Sequence, residues 1–258
     1  TTSTIFAHMK NIVTDLKTYQ TVISYLTGSG YSMEGMPRGS MFSLRFMGLD
    51  EMGIPTFLDK DGNITSTGIA FQEMSNFSNL KYEGPTDPTM TGSFGNIFKF
   101  KGFTLNVFMT YSFGNVVRLD PIFSNSYSDL TAMPREFMDR FISPGDEKTT
   151  NVPVIASSRQ NNSIKNLNMA YNAYNYSDQR VAKGDFIRLK EVSLGYELPK
   201  AAVEKIRLKS LSFKLQGTNL CLLYADKKLE GQDPEFLNAG GVAVPMPKQI
   251  TLTCKIGF

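Results

Sequence analysis

Phe103-Thr104-Leu105-Asn106-Val107-Phe108-Met109-Thr110-Tyr111-Ser112-Phe113 alternates apolar and polar side chains along nearly its whole length. Phe103, Leu105, Val107, Met109, Tyr111 and Phe113 fall on one side of an extended chain. Thr104, Asn106, Thr110 and Ser112 fall on the other, with Phe108 the one apolar residue out of phase. Side chains alternate with a period of two in a strand and about 3.6 in a helix, so this segment is a strand with one apolar face. Just upstream, Phe94, Phe98 and Phe100 alternate with Ser93, Gly95 and Lys99. Lys101-Gly102 separates the two runs, which predicts a tight hairpin.

The same pattern recurs toward the C-terminus. Ile250, Leu252, Cys254, Ile256 and Phe258 alternate with Thr251, Thr253, Lys255 and Gly257, and Leu211, Phe213 and Leu215 with Ser212, Lys214 and Gln216. Asp185 to Pro199 is strand-like with a phase slip: Ile187 and Leu189 are odd, whereas Val192, Leu194 and Tyr196 are even. A bulge near Lys190-Glu191 repairs the phase. A further strand is expected over Phe42, Leu44 and Phe46. The connections are unequal. Lys101-Gly102 is minimal and the Lys200–Ser210 link is short, whereas the segments from Phe113 to Gly184 and from Tyr224 to Lys248 are long. Short turns alternating with long loops are the habit of transmembrane barrels, with the short turns on the periplasmic side.

Composition is compatible with this. The 258 residues carry a net charge of +3, which makes no electrostatic case for nucleic acid. Hydrophobic content is 41% and mean hydropathy −0.19, values a β-barrel shares with soluble proteins because half its strand residues face a polar lumen. The 19 Phe and 11 Tyr, with no Trp, exceed the needs of one modest core and suggest many half-exposed strands or aromatic girdles. No apolar run is long enough for a spanning helix; the densest is Leu220 to Ala225. Thr1-Thr2-Ser3-Thr4-Ile5 lacks a start Met and a signal-peptide pattern, so the chain is expected to be a mature product or a fragment. Cys221 and Cys254 read as two small apolar strand residues, with a disulfide between them as the alternative.

The long loop contains Met133, Phe137, Met138 and Phe141 at helical spacing, with Pro134 placed for a first turn and Pro144-Gly145 for a stop. This predicts a short amphipathic helix packed on the barrel mouth, with a membrane-surface helix as the alternative. Asn151 to Lys183, rich in Asn, Ser and Tyr, reads as a mobile recognition loop. Asp59-Lys60-Asp61-Gly62 reads as a polar hairpin turn, since it lacks the spacing of a calcium loop. No catalytic constellation, cofactor motif or metal-ligand set is present, and His8 stands alone.

Several segments then resemble, in order, one family. Gly184-Asp185-Phe186-Ile187-Arg188-Leu189-Lys190-Glu191-Val192-Ser193-Leu194-Gly195-Tyr196-Glu197-Leu198-Pro199, Gln216-Gly217-Thr218-Asn219-Leu220, Gly231-Gln232-Asp233-Pro234-Glu235 and the closing Pro245 to Phe258 are similar to segments of the SusC/RagA class of TonB-dependent transporters. So are Met47 to Pro55 with Asp59 to Gly62, and Pro88 to Gly114. Gly35-Met36-Pro37-Arg38-Gly39 is a loose version of the family's entry motif, and Arg140-Phe141 stands where Arg-Trp is common. The resemblance implies an all-β antiparallel transmembrane barrel in the cell outer membrane. The chain 1–258 would be the C-terminal segment, roughly eight of 22 strands, with long extracellular loops, a short helix and no plug domain.

It also implies a nutrient importer, for glycans or peptides, and no enzyme. Its partners would be a SusD-like lipoprotein, the TonB complex acting through the plug, the remainder of the barrel and the lipid bilayer. In this reading Leu105, Val107, Met109, Ile250 and Leu252 face lipid. Ile256 and Phe258 form a C-terminal insertion signal, and Tyr171, Tyr174 and Tyr176 are ligand-stacking candidates. The rival readings are a stand-alone small outer-membrane barrel and a soluble β-sandwich binding module, the latter with its apolar faces buried between two sheets.

Overall fold

A computed structural model describes residues 1–27, 32–123, 133, 135–237 and 247–258. In chain order its strands are β1 (Thr2–His8), β2 (Ser40–Leu44), β3 (Phe46–Leu49), β4 (Pro55–Leu58), β5 (Ile64–Thr65), β6 (Leu80–Pro85), β7 (Met90–Phe100), β8 (Phe103–Phe113), β9 (Val116–Arg118), β10 (Val181–Lys183), β11 (Phe186–Glu197), β12 (Ser210–Ala225) and β13 (Gln249–Gly257). Helices are short: α1 (Val22–Leu26), α2 (Ser158–Ser163), α3 (Leu167–Asn175), α4 (Lys200–Glu204) and α5 (Pro234–Leu237). None of the described helices is long and apolar enough to cross a membrane. The chain divides into two compact units, one of residues 1–10, 87–115 and 183–258, the other of residues 11–86 and 116–182.

The first unit is a six-stranded sheet in the order β1-β7-β8-β11-β12-β13, antiparallel throughout. Among the described residues it is open, with β1 and β13 as its two edges. The β7–β8 hairpin turns on Lys101 and Gly102, whose φ values are +47° and +85°. Two successive positive φ angles make a turn whose twist matches the strands it joins. Gly102 is required twice over, because a Cβ there would lie 2.6 Å from the Glu197 carbonyl. The phase slip in β11 is the expected bulge: Leu189 opposes Met109 and Glu191 opposes Phe108, which leaves Lys190 as the extra residue. The out-of-phase Phe108 lies opposite Gly95, with a ring carbon 3.2 Å from where a Gly95 Cβ would be, so the aromatic fills the space the glycine leaves.

Thr2–His8 is a strand of this sheet although its sequence barely alternates; it lies at an edge with every residue exposed and is held mainly by backbone pairing to β7. The strand expected over Phe42 to Phe46 is instead two short strands broken at Arg45. All five residues of β2 are buried and pair with β6 in the second unit, so their pattern reports a core and not a two-faced wall. Among the described residues this sheet has six strands.

The second unit has its own hydrophobic core, built from α1, β2, β4, β6 and α3, with Val22, Leu26, Phe42, Leu44, Phe57 and Tyr174 among its buried members. Asp59-Lys60-Asp61-Gly62 closes the β4–β5 hairpin, as read: Asp59 Oδ1 accepts the N–H groups of Asp61 and Asn63 at 2.9 and 2.8 Å. These bonds hold the Asp59 carboxyl below its ordinary range. The helix expected around Phe137 is a 3-10 turn, Arg135–Asp139; Pro134 lies outside the described residues. Met133 and Phe137 pack against this unit's core and Phe141 is buried, whereas Met138 is exposed, so the turn anchors its own unit.

Asn151 to Lys183 is ordered. Ser157 and Gln160 form a reciprocal capping box at α2, and α3 buries Leu167, Ala170, Ala173 and Tyr174. Two arginines lie inside this unit. Arg180 is 2% exposed and bonds Glu136 and the Asp120 carbonyl. Arg118 donates to the Phe42 carbonyl and lies 5.6 Å from the Tyr176 ring centroid; burial pulls its guanidinium down to about 10.

The turn geometry predicts opposite outcomes at adjacent positions. Gly102→Val should destabilise the hairpin by about 1–3 kcal/mol, because a β-branched residue enters a positive-φ site. Lys101→Gly should be neutral or mildly stabilising. Chemical-denaturation midpoints of the two variants check this; equal loss in both would contradict the turn assignment.

Candidate functional site

Directly paired residues in antiparallel strands project to the same face, so the register converts the alternation into two surfaces. On one face Phe98, Leu105, Leu194, Leu215 and Leu252 form a continuous row across β7, β8, β11, β12 and β13. Val107, Val192 and Ile250 lie in the next row, and Phe94, Met109, Leu189 and Cys221 in the one after. Phe98, Leu215, Leu252 and Ile250 are 56%, 50%, 72% and 78% exposed, so this apolar face is not the interior of a sandwich. Leu105, Val107 and Met109 share that face with Ile250 and Leu252 and are half-buried among their neighbours.

Aromatic rows bound the face at both ends. At the short-turn end Phe100, Phe103, Tyr196 and Phe213 are paired in sequence across four strands, and the Phe103 and Tyr196 rings lie 4.4 Å apart. At the other end Tyr111 and Phe113 are 5.8 Å apart and Phe113 and Tyr224 6.4 Å. Tyr111 also crosses Gly92 to donate its hydroxyl to the Ile5 carbonyl at 3.1 Å, tying β8 to β1. Ile256 and Phe258 are 50% and 82% exposed at the short-turn end. Cys221 and Cys254 are both free and exposed. Cys254 pairs with Phe213, eight residues along β12 from Cys221, so they are about 26 Å apart and not within disulfide reach.

The opposite face is polar. Thr104, Gly195, Lys214 and Thr253 form one row, Asn106, Ser193, Gln216 and Thr251 the next. Glu191, placed on this face by the bulge, accepts from Asn106 Nδ2 at 3.0 Å and has Lys214 Nζ at 3.9 Å. Arg188 lies further along the same face and is 5% exposed. Its Nη2 is 2.5 and 2.6 Å from the two carboxylate oxygens of Asp233 and 3.2 Å from Glu235 Oε2. Asp233 and the start of α5 are therefore tethered to the sheet. Alternation marked Arg188 as a charge on a strand's polar face; its partner 45 residues away had no local signal.

The three tyrosines singled out for stacking are brought together, but within a core. Tyr174 is 2% exposed, edge-on to Phe46 and Phe123 at 5.7 and 5.5 Å, and burial raises its phenol pKa. Tyr171 donates to the Val154 carbonyl and packs on Phe123 at 4.8 Å. Tyr176 lies under Arg118. Tyr171 and Tyr176 each keep part of the side chain at the surface; Tyr174 does not.

Removing one partner of the buried clamp leaves the other charge stranded. Arg188→Ala should cost about 3–5 kcal/mol, whereas Arg188→Met combined with Asp233→Leu should recover most of it. Denaturation midpoints of the single and double variants test this; additive losses would show that the pair is not coupled.

No protein-family profile matches the chain. Two proteins of Formosa agariphila are similar in sequence. TonB-dependent receptor P3 is 27% identical over 209 residues, covering 80% of this chain and 18% of its own length. TonB-dependent receptor P39 is 27% identical over 158 residues, covering 60% and 14%. The chain thus spans under a fifth of the relatives it matches. Among solved structures, the RagAB peptide importer in its open-open state superposes with a TM-score of 0.66 over 100% of this chain and 26% of that one, at 19% identity. The RagAB peptide transporter gives 0.61 over 90% of this chain and 24% of that one, at 20% identity. Sequence and fold point the same way: the chain is similar in sequence to TonB-dependent receptors and resembles part of the RagAB transporter in fold.

Proposed function

We propose that the six-stranded sheet is part of the wall of a closed outer-membrane barrel, and that the complete protein imports a large nutrient, a peptide or a glycan. The observation that carries this is the exposed apolar face framed by two aromatic rows. Phe103 and Phe113 are ten residues apart on β8, about 33 Å along the strand. A strand tilted by about 40° turns that into a height of roughly 25 Å, the thickness of the apolar band of an outer-membrane barrel. Leu105, Val107, Met109, Ile250 and Leu252 then meet lipid. The row containing Asn106, Ser193, Gln216 and Thr251 faces the lumen or a plug domain.

The edges support the same reading. An open sheet edge in hydrocarbon leaves backbone N–H and C=O groups unpaired, at several kcal/mol each, so β1 and β13 require neighbouring strands from the remainder of the barrel. The short-turn end is periplasmic, as in barrels generally. The exposed Ile256 and Phe258 fit a C-terminal insertion signal there, a role that requires Phe258 to end the mature chain. The long segments serve as outer loops, with Tyr171 and Tyr176 the stacking candidates for substrate. A SusD-like lipoprotein as lid and TonB as the energy source complete the importer.

Lysine substitutions at Leu105, Val107 or Leu252 should each impair assembly by about 2–4 kcal/mol near the bilayer midplane, and the same change at Thr104 or Thr251 should be tolerated. Heat-modifiability on gels, which separates folded from unfolded barrel, compares the two sets. Equal damage from both would remove the lipid-facing assignment and the importer reading with it. Binding of peptide and glycan panels to the complete protein then selects the substrate class.

A further inference from the structure

Charge is distributed unequally between the two ends of the sheet. Immediately beyond the Phe100-Phe103-Tyr196-Phe213 row, the short turns carry Lys101, Lys200, Lys205, Arg207 and Lys209, all exposed. Glu197 and Glu204 oppose them there, with the carboxylate of Phe258 as a third anion where that residue ends the chain. At the other end Lys183, Lys227 and Lys228 stand among Asp185, Asp226 and Glu230, so that end is balanced. Among the described residues the cations of the short turns form no ion pairs: the salt bridges of this unit involve Arg188 and Lys214. Lys101 Nζ lies 5.3 Å from the Phe100 ring centroid, so one ammonium sits directly against the aromatic row. Lys99, Lys214 and Lys255 project from the polar face and are not part of this group.

Resting on the wall reading above, we infer that the short-turn end is a cationic collar that holds the phosphate headgroups of anionic phospholipids. The aromatic row occupies the boundary between hydrocarbon and headgroups. One turn further out, Lys and Arg side chains reach the depth where lipid phosphates lie. Their apolar stems lie along the rings and their charged ends meet the phosphates. Arg207, held at a φ of +60° in the β11–β12 connection, offers a planar fork suited to phosphate, and the lysines add point charges around it. The balanced far end offers no comparable attraction.

The test uses the complete protein in nanodiscs of equimolar phosphatidylglycerol and phosphatidylcholine, with retained lipid identified by native mass spectrometry. Wild type should retain phosphatidylglycerol over phosphatidylcholine by about tenfold or more, and high salt should erode that preference. Glutamine replacement of Lys101, Lys200, Lys205, Arg207 and Lys209 together should bring it to parity, whereas Lys227→Gln with Lys228→Gln should leave it intact. Parity in the wild type, or a preference that survives both the five replacements and high salt, overturns the collar. If the five-site variant does not assemble, the salt series on wild type decides alone. Alkaline carbonate extraction separates the two levels: a protein released from membranes overturns the wall reading and the collar, whereas an embedded protein without lipid preference overturns only the collar.

Discussion

The antiparallel backbone ladder joining β1, β7, β8, β11, β12 and β13 is the constraint on which the rest of the chain depends. It places Phe98, Leu105, Leu194, Leu215 and Leu252 in one row although they come from five separate strands. A one-residue slip would send each of them to the opposite face. Each device along the ladder protects that register. The Lys101-Gly102 turn sets the β7–β8 pairing, the Lys190 bulge brings β11 back into phase, and Phe108 packs into the gap at Gly95. The exposed apolar row is then a direct consequence of the pairing.

The polar face obeys a different rule. Its charges are partnered where they are buried: Arg188 by Asp233 and Glu235, and Glu191 by Asn106 and Lys214. A buried guanidinium is expensive unless bonded, so the clamp restricts where the segment after β12 can go. The second unit works the same way. Arg180, almost fully buried, bonds Glu136 and the Asp120 carbonyl, and Arg118 combines the Phe42 carbonyl with the Tyr176 ring. Segments that would be long structureless loops in the absence of such contacts are organised around an aromatic core of Tyr25, Phe42, Phe57, Phe123 and Tyr174.

That core changes how the loop tyrosines are read. A tyrosine in an Asn- and Ser-rich segment suggests a stacking surface, but here the ring of Tyr174 is spent on packing and only Tyr171 and Tyr176 retain accessible area. The similarity to TonB-dependent receptors is one of sequence, and the similarity to the RagAB structures is one of fold. Both say less about these side chains, whose roles follow from the chain's own packing.

Read by itself, the amino-acid order determined the strands with strict alternation, the hairpin at Lys101-Gly102, the bulge near Lys190, the polar turn at Asp59 to Gly62 and the apolar face with its Leu and Phe residues. These are local properties: a period of two and a turn's backbone requirement are written in neighbouring residues. Tertiary structure alone decided the rest. Thr2–His8 is a strand because β7 offers it a backbone partner, not because its side chains alternate. Ser40–Leu44 belongs to a core because α1, β6 and α3 cover it. Arg188 meets Asp233 and Tyr174 meets Phe46 only when distant segments fold together, and no local pattern encodes contacts whose free energy comes from burial shared between remote parts of the chain.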